Sequence, residues 1–572
     1  PQYETKGKVT VKLGSYTGSD HNGNDKSIAG YVTGPIINDV LAYSLSLYAR
    51  DMAGYLTNDV TGQGTGGHEK WFARGKLLWE PSENTSIELH FFKTDRQDLE
   101  TFATTALNGN SSAAFWDDGI VASRAWHVAT ELKGGSQPLL VKQESFSLKI
   151  SHYFDGVGTL TSTTSANDYQ TEFTVDLDTG TSAACKATFV CADFFQDYPS
   201  EDFQQEFLFT SDPMGKLSFV AGLYFYENDA GFDGNFAPVI NSTGYAIRDQ
   251  SLAGFISGST VFVESQALFG SLTYEISDQL RLTLGGRYND ESIVGVGTYS
   301  GKVFPNGGEL SDKTFTPRVA VHFDISDTLS IYGSYTEGRK GPILQSFSTA
   351  DDYADYEDVE AIELGIKASG DNYRFNGAIF SYDYKNFQDQ VWDGSASLLG
   401  NAESAEMQGI ELDLVVNLTE ALQVRAVASH LDTEYGPFEA AAFDTPNTPF
   451  GMTQVILQME GEQMKLAPEL TYGLSATHTA NVGAGELEAT ASVNYNDEVW
   501  FDYRKRVKQD DFHTVNASIS YKPRSDGDLR ISLYGTNLTN EAYFATALLG
   551  NSSDAPVYSP PRQIGVSVDY GF

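Results

Sequence analysis

Apolar side chains recur at every second position, in segment after segment, along nearly all of this 572-residue chain. In 217–225, Leu217, Phe219, Ala221, Leu223 and Phe225 share one face, while Ser218, Val220, Gly222 and Tyr224 share the other. In 280–288, Leu280, Leu282, Leu284, Gly286 and Tyr288 oppose Arg281, Thr283, Gly285 and Arg287. In 41–50, Leu41, Tyr43, Leu45 and Leu47 oppose Ala42, Ser44, Ser46, Tyr48 and Arg50. A period of two is the strand period, because successive side chains of an extended chain point to opposite faces. The pattern runs to the last residue, through Ile564, Val566, Val568, Tyr570 and Phe572.

The strands come in pairs. Short polar turns are expected near 34–39, 81–84, 155–158, 211–215, 276–279, 325–328, 369–372, 418–421, 480–485 and 522–528. Several share a weak repeat: Ser277-Asp278-Gln279-Leu280, Ser326-Asp327-Thr328-Leu329 and Thr419-Glu420-Ala421-Leu422. Long loops rich in Gly, Ser, Asn and Asp are expected near 95–142, 166–202, 227–263, 338–358 and 433–463. With both chain ends on the short-turn side, ten short turns alternate with eleven long loops and give 22 strands.

A soluble sandwich, solenoid or propeller of that size would need a second apolar layer over each sheet. Here one face is apolar and the other is Ser, Thr, Gly, Arg and Glu. Lipid supplies the apolar surroundings, and closure pairs every backbone N–H and C=O. The fold class is therefore all-β: a 22-stranded antiparallel transmembrane β-barrel with short periplasmic turns and long extracellular loops. A bore of this size carries a plug in known outer-membrane transporters.

Composition narrows the function. The 77 Asp+Glu against 37 Lys+Arg leave a net charge of −40. No extended basic stretch is present, so nucleic acid is not an expected partner. Two cysteines exclude a Cys-rich zinc site, and the nine histidines fall in no metal-ligand spacing. No metal or cofactor is expected. No nucleophile elbow or phosphate loop is present, so an enzyme is not expected. The chain opens at Pro1 without Met or signal peptide, as a processed or trimmed product would.

Several stretches resemble the barrel of TonB-dependent outer-membrane receptors of the siderophore-receptor-like branch. Gly34-Pro35-Ile36 through Leu41-Ala42, with Arg50-Asp51 and Gly54-Tyr55, resembles that family's first periplasmic turn and third strand. Arg74 to Pro81 resembles the next downward strand, and Leu284-Gly285-Gly286-Arg287-Tyr288 its "GGLRY" strand. Thr316-Pro317-Arg318 and Tyr332-Gly333-Ser334-Tyr335 are similar to its mid-barrel strands. Glu363 to Lys367, Asn401-Ala402 with Gly409-Ile410-Glu411, and Asn537-Leu538-Thr539-Asn540 with Tyr543 resemble later elements in order. Pro561-Arg562 and the terminal Phe572 complete that order, and Tyr570 with Phe572 resembles the signal read by the outer-membrane assembly machinery. The family's "GFKSGG" element reads Gly338-Arg339-Lys340-Gly341-Pro342 here.

The resemblance implies one barrel domain over 1–572 in the outer membrane of a Gram-negative bacterium, bathed in lipid and lipopolysaccharide. It implies uptake of a scarce ligand, by family default a ferric siderophore or similar metal chelate. It also implies a plug coupled to the TonB energy-coupling complex, and a monomer. The plug and TonB box are not in this sequence, which opens at Gly7–Leu13 like barrel strand one. A plug missing from this chain or supplied as a separate chain is expected. A plugless passive channel and a structural envelope protein are the alternatives.

Ligand contact is expected from Trp116, Trp126, Trp392, Trp500 and Tyr503, whose rings give contact area at little entropic cost. An interfacial aromatic girdle is the plainer role for each. Arg504, Lys505, Arg506 and Lys508 form a basic cluster suited to an anionic chelate, or to lipopolysaccharide phosphate or plain solvation. Asp351, Asp352, Asp355, Glu357, Asp358 and Glu360 read as a solvated acidic loop. Cys185 and Cys191, in a loop facing the oxidising cell surface, are expected to form a disulfide.

Overall fold

The computed structural model describes residues 1–572 except 99–103, 131–138, 177–178, 187–192, 238–254, 300–301, 345–352, 393–396, 445–447, 450–452, 525–527 and 550–551. Twenty-two antiparallel strands form one closed barrel. They are β1 Lys6–Tyr16, β2 Asn24–Ile37, β3 Leu41–Met52, β4 His68–Ser82, β5 Thr85–Asp98, β6 Leu140–Phe154, β7 Gly158–Asp176 and β8 Asp193–Ser211. Next come β9 Leu217–Ala237, β10 Phe255–Glu275, β11 Leu280–Tyr299, β12 Lys302–Ser326, β13 Leu329–Lys340, β14 Glu357–Ser369 and β15 Tyr373–Trp392. The ring ends with β16 Ser397–Thr419, β17 Leu422–Tyr435, β18 Leu470–Val482, β19 Gly485–Asn496, β20 Phe512–Pro523, β21 Asp528–Thr536 and β22 Gln563–Gly571. Each strand pairs with its chain neighbour, and β22 pairs with both β21 and β1.

Alternation becomes an inside and an outside. Leu45, Leu47, Trp71, Leu77, Trp79, Leu284, Leu533 and Val566 stand exposed on the outer wall. Their alternates face the bore. Exposed apolar bands of this extent are stable only against lipid. No helix of the described residues is long and apolar enough to cross a membrane, which says nothing of a β-barrel.

Nine of the ten expected short turns lie where the sequence places them, and the tenth, 522–528, falls partly outside the described residues. The Ser/Thr-x-x-Leu repeat has a local cause. Ser277 Oγ accepts from Leu280 N–H at 3.2 Å, Ser326 Oγ from Thr328 N–H at 3.3 Å and Thr419 Oγ1 from Ala421 N–H at 3.2 Å. A hydroxyl that bonds its own backbone two or three residues on fixes a tight turn.

The long-loop side differs from expectation in extent. The expected loops 166–202 and 227–263 are mostly strand, since β7 and β8 reach Asp176 and Asp193, and β9 and β10 reach Ala237 and Phe255. Strands of 19–25 residues such as β8 and β12 exceed the ~9–11 that a bilayer needs, so they project beyond it. Glu357, Asp358 and Glu360 belong to β14 rather than to a solvated loop. Arg339 donates to Asp358 at 2.6 and 2.9 Å, and Lys385 pairs with Glu360. Asp351 and Asp352 lie outside the described residues.

Candidate functional site

The loops hold a cluster of buried apolar residues. Tyr435, Phe438, Met459, Met464 and Tyr503 form an apolar cluster over Ala402 and Ala405, where the connections after β17 and β19 meet the tops of β16 and β17. One half-buried cation lies beside it. Lys465 Nζ donates to Asp389 Oδ1 at 2.7 Å and to the Tyr503 hydroxyl at 2.8 Å, and lies 4.2 Å from the Tyr503 ring centroid. The Tyr435 hydroxyl donates to Asp389 Oδ2 at 2.9 Å. One carboxylate near the end of β15 thereby ties together the end of β17 and the loop that follows it, and through Lys465 the loop after β19.

A second loop assembly roofs the bore. Segment 104–130 leaves the barrel after β5 and meets loops all round the rim. Ser112 N–H donates to Ser552 carbonyl at 2.8 Å, and Ser112 Oγ to Thr448 carbonyl at 3.4 Å, in the loop after β17. That loop lies nearly opposite in a ring of 22 strands, so the segment crosses the mouth. Ile120–Val121 pairs with Gly180–Thr181, and His127–Val128 with Thr57–Asn58. Trp126 Nε1–H donates to Ser559 carbonyl at 2.8 Å. Small residues allow such close packing: Ala106, Ala113, Ala122 and Ala129 are fully buried.

Ion pairs anchor the roof. Arg506 Nη2 lies 2.7 Å from Asp554 Oδ1, both largely buried, and Asn110 also donates to Asp554. Burial pushes the Asp554 carboxyl up, and Arg506 and Asn110 oppose that shift. Asp502 Oδ1 holds the turn before Arg506, accepting from the N–H groups of Arg506 and Val507 at 2.9 and 2.7 Å. His127 is buried with Nδ1 2.7 Å from Asp59 and Nε2 3.1 Å from Asp20, which links the loops after β1 and β3 to the roof.

The residues singled out by sequence fall into different settings. Trp126, Tyr503 and Arg506 are packing and pairing anchors. Trp116 is half-buried in the roof, its indole N–H without a partner among the described residues. Trp500 is half-buried with Lys508 Nζ 5.4 Å from its ring centroid. Arg504 is exposed. The basic cluster is largely spent on acids: Lys505 pairs with Glu462 at 2.8 Å, and Lys508 with Glu498 and Asp510. Trp392 ends β15, and its side chain lies outside the described residues. Cys185 is buried and disulfide-bonded, while Cys191 lies outside the described residues. Tyr570 and Phe572 stand exposed on the outer wall, and Phe572 exchanges backbone hydrogen bonds with Gly7 at 2.8 and 2.9 Å. Lys465, Asp389, His127, Asp59 and Asp554 carry no local sequence signal, because their partners lie tens to hundreds of residues away. Among the described residues, no group of three or more His, Cys, Asp or Glu is placed to hold a metal ion.

Comparison with known proteins agrees with this architecture. The model of the TonB dependent receptor-like β-barrel family matches residues 48–538. The ferric-pyoverdine BN7/BN8 receptor of Pseudomonas putida is 24% identical over 326 residues, 55% of this chain and 35% of that receptor. The chain thus spans about a third of the length of that curated relative. The ferric yersiniabactin uptake receptor of Yersinia pestis superposes over 100% of this chain and 81% of its own, with TM-score 0.78 and 16% identity. The siderophore receptor PiuA of Acinetobacter baumannii superposes over 100% of this chain and 82% of its own, with TM-score 0.76 and 15% identity. A closed 22-strand outer-membrane barrel matched by the family model over most of its length belongs to the TonB-dependent receptors of the Gram-negative outer membrane.

Proposed function

We propose that this chain is the barrel of an energised importer that captures a scarce metal chelate, by family default a ferric siderophore, at the cell surface. The observation that carries the reading is the roof. A passive channel gains nothing from a cross-mouth loop anchored by buried ion pairs, whereas a receptor that must bind before it opens needs such a surface. A plug, in the same gene product or as a separate chain, closes the bore, and the TonB complex acts through it. The likeness to ferric-siderophore receptors supports the cargo class, and the family supports the coupling.

Ligand contact falls to Trp116, Trp500 and Arg504 at the accessible loop surface. Trp126, Tyr503 and Arg506 set the geometry beneath them. The barrel sits as a monomer among lipid and lipopolysaccharide. The test is uptake of radiolabelled ferric chelates by iron-starved cells carrying or lacking the gene, with and without a functional TonB complex. Uptake that needs both gene and TonB supports the reading. Equal uptake without TonB would overturn it in favour of a passive channel.

A further inference from the structure

The foot of the roof, 126–130, is strapped to the connection after β3. Thr57 N–H donates to the Trp126 carbonyl at 2.9 Å, Asp59 N–H to the Val128 carbonyl at 2.8 Å, and Asn58 Nδ2 to the Thr130 carbonyl at 2.8 Å. Thr105 Oγ1 donates to the His127 carbonyl at 2.6 Å. His127 itself is buried within this foot. Its ring nitrogens reach carboxylates on two different loops. Nδ1 lies 2.7 Å from Asp59 Oδ1, in the connection after β3, and Nε2 lies 3.1 Å from Asp20 Oδ2, in the connection after β1. A carboxylate only accepts, so both ring nitrogens must donate, and only the imidazolium carries both protons. A neutral ring offers one N–H and turns a lone pair on the other carboxylate.

Arg124 is the third charge at the ring. Its Nη2 lies 3.2 Å from Nδ1, and its Nη1 lies 3.5 Å from Asp20 Oδ2. A guanidinium only donates, so Arg124 and Asp59 compete for Nδ1, and each suits a different charge state of the ring. With the ring charged, Asp59 takes the Nδ1 proton and Arg124 keeps Asp20. With the ring neutral, Nδ1 accepts from Arg124, and Asp59 loses its only side-chain partner among the described residues. The geometry favours the charged ring. The Asp59 contact is the shortest of the three and is charge-assisted. Arg124 is 67% exposed, so water screens its repulsion of the imidazolium. His21, next to Asp20 in the chain, has its ring against Gly64.

We propose that His127 is a proton-operated latch of the roof: its imidazolium binds the 126–130 foot to the loops after β1 and β3, and loss of a ring proton frees Asp59 and loosens the foot. The latch depends neither on the cargo nor on energised import. The docked foot holds a ring proton between two carboxylates, and a foot that has left them has no such hold. Docking is therefore full in acid and weakens as pH rises through the range in which histidines titrate. Access to the mouth from the cell surface then follows the pH of the medium.

The test is hydrogen exchange of 126–130 and 56–59, read by mass spectrometry on the full-length gene product in outer-membrane vesicles at pH 6 and pH 8, and corrected for the intrinsic exchange rate. Native protection of the foot is expected to fall about tenfold between the two. H127Q, whose single amide nitrogen cannot reach both carboxylates, should lose that fall and sit at the loose level throughout. D59N gives Nδ1 a donor in place of an acceptor, which suits the neutral ring, so the pH dependence should flatten or reverse. A histidine that only fills space would leave D59N with the native slope. H21Q should keep the native fall. Barrel assembly is checked from the heat-modifiable folded band, and D59N carries the test if H127Q fails to assemble. A native foot equally protected at both pH values would overturn the proposal. So would a native fall retained in H127Q or in D59N, or a fall abolished by H21Q.

Discussion

Lys465 shows what one side chain contributes to the loop surface. Its ammonium is held by Asp389, the Tyr503 hydroxyl and the Tyr503 ring. Truncation removes the ammonium from a buried carboxylate, Asp389, that also accepts from the Tyr435 hydroxyl. The K465A variant is expected to destabilise the loop cluster by about 2–3 kcal/mol, the scale for orphaning a largely buried charge. Limited proteolysis should then cut within 436–469 while the barrel band stays intact. Asp554 adds a pH dependence. Its carboxyl is raised by burial. The docked roof therefore holds this proton to higher pH than an undocked one does. Docking takes up a proton between the ordinary carboxylate range and the raised value, so it tightens as pH falls through that window and loosens as pH rises. Hydrogen exchange of 104–130 at several pH values measures this. D554N should flatten the slope while lowering protection overall, because Arg506 loses its counter-charge.

At the scale of strands, close approach decides which positions tolerate a side chain. A Cβ on Gly286 of β11 would meet the Phe315 ring of β12 at 2.5 Å. The ring lies over the glycine and covers backbone that would otherwise be bare. G286V is expected to displace Phe315 and cost about 1–3 kcal/mol, read as a lower urea midpoint of the folded barrel band. The same pair shows why the barrel was legible in the sequence. Leu284, Gly286 and Tyr288 alternate with Arg287 and Thr283 because lipid and bore demand opposite chemistry within one residue. Ser277, Ser326 and Thr419 mark turns through bonds made two or three residues away. Both signals are local. Above the bilayer that contrast disappears. Gln204 and Glu201 of β8 both meet water, so alternation fades although the backbone ladder continues, and stretches expected as loops are strand. The site was less legible for the same reason. Trp126, Tyr503 and Arg506 could be picked out as residue types. That they anchor the roof and cluster depends on Ser559, Lys465 and Asp554, which no local pattern connects to them.

For the whole molecule, part of the net charge of −40 is concentrated on the outer wall. Phe91, Phe146, Phe203 and Phe262 share a groove on the outer wall with Glu144, Asp168, Glu201, Glu227, Asp229 and Glu264. The rings mark the upper edge of the apolar belt, and the exposed carboxylates stand just beyond it, at headgroup level. Lys93 pairs with Glu144, but among the described residues no ion pair neutralises the other five. The outer surface therefore faces anionic headgroups with charge of their own sign. That repulsion acts between exposed groups, and salt screens it. The Debye length falls from about 30 Å at 0.01 M to about 8 Å at 0.15 M. The barrel reconstituted in vesicles of anionic lipid should accordingly melt higher in 0.15 M than in 0.01 M salt. In zwitterionic vesicles the two temperatures should differ much less, because self-repulsion along the rim is then the only part left to screen. Changing Glu201, Glu227, Asp229 and Glu264 to Gln or Asn should reduce the salt dependence in anionic lipid while leaving the barrel band intact. A salt dependence equal in both lipids would place the repulsion within the protein rather than between rim and membrane.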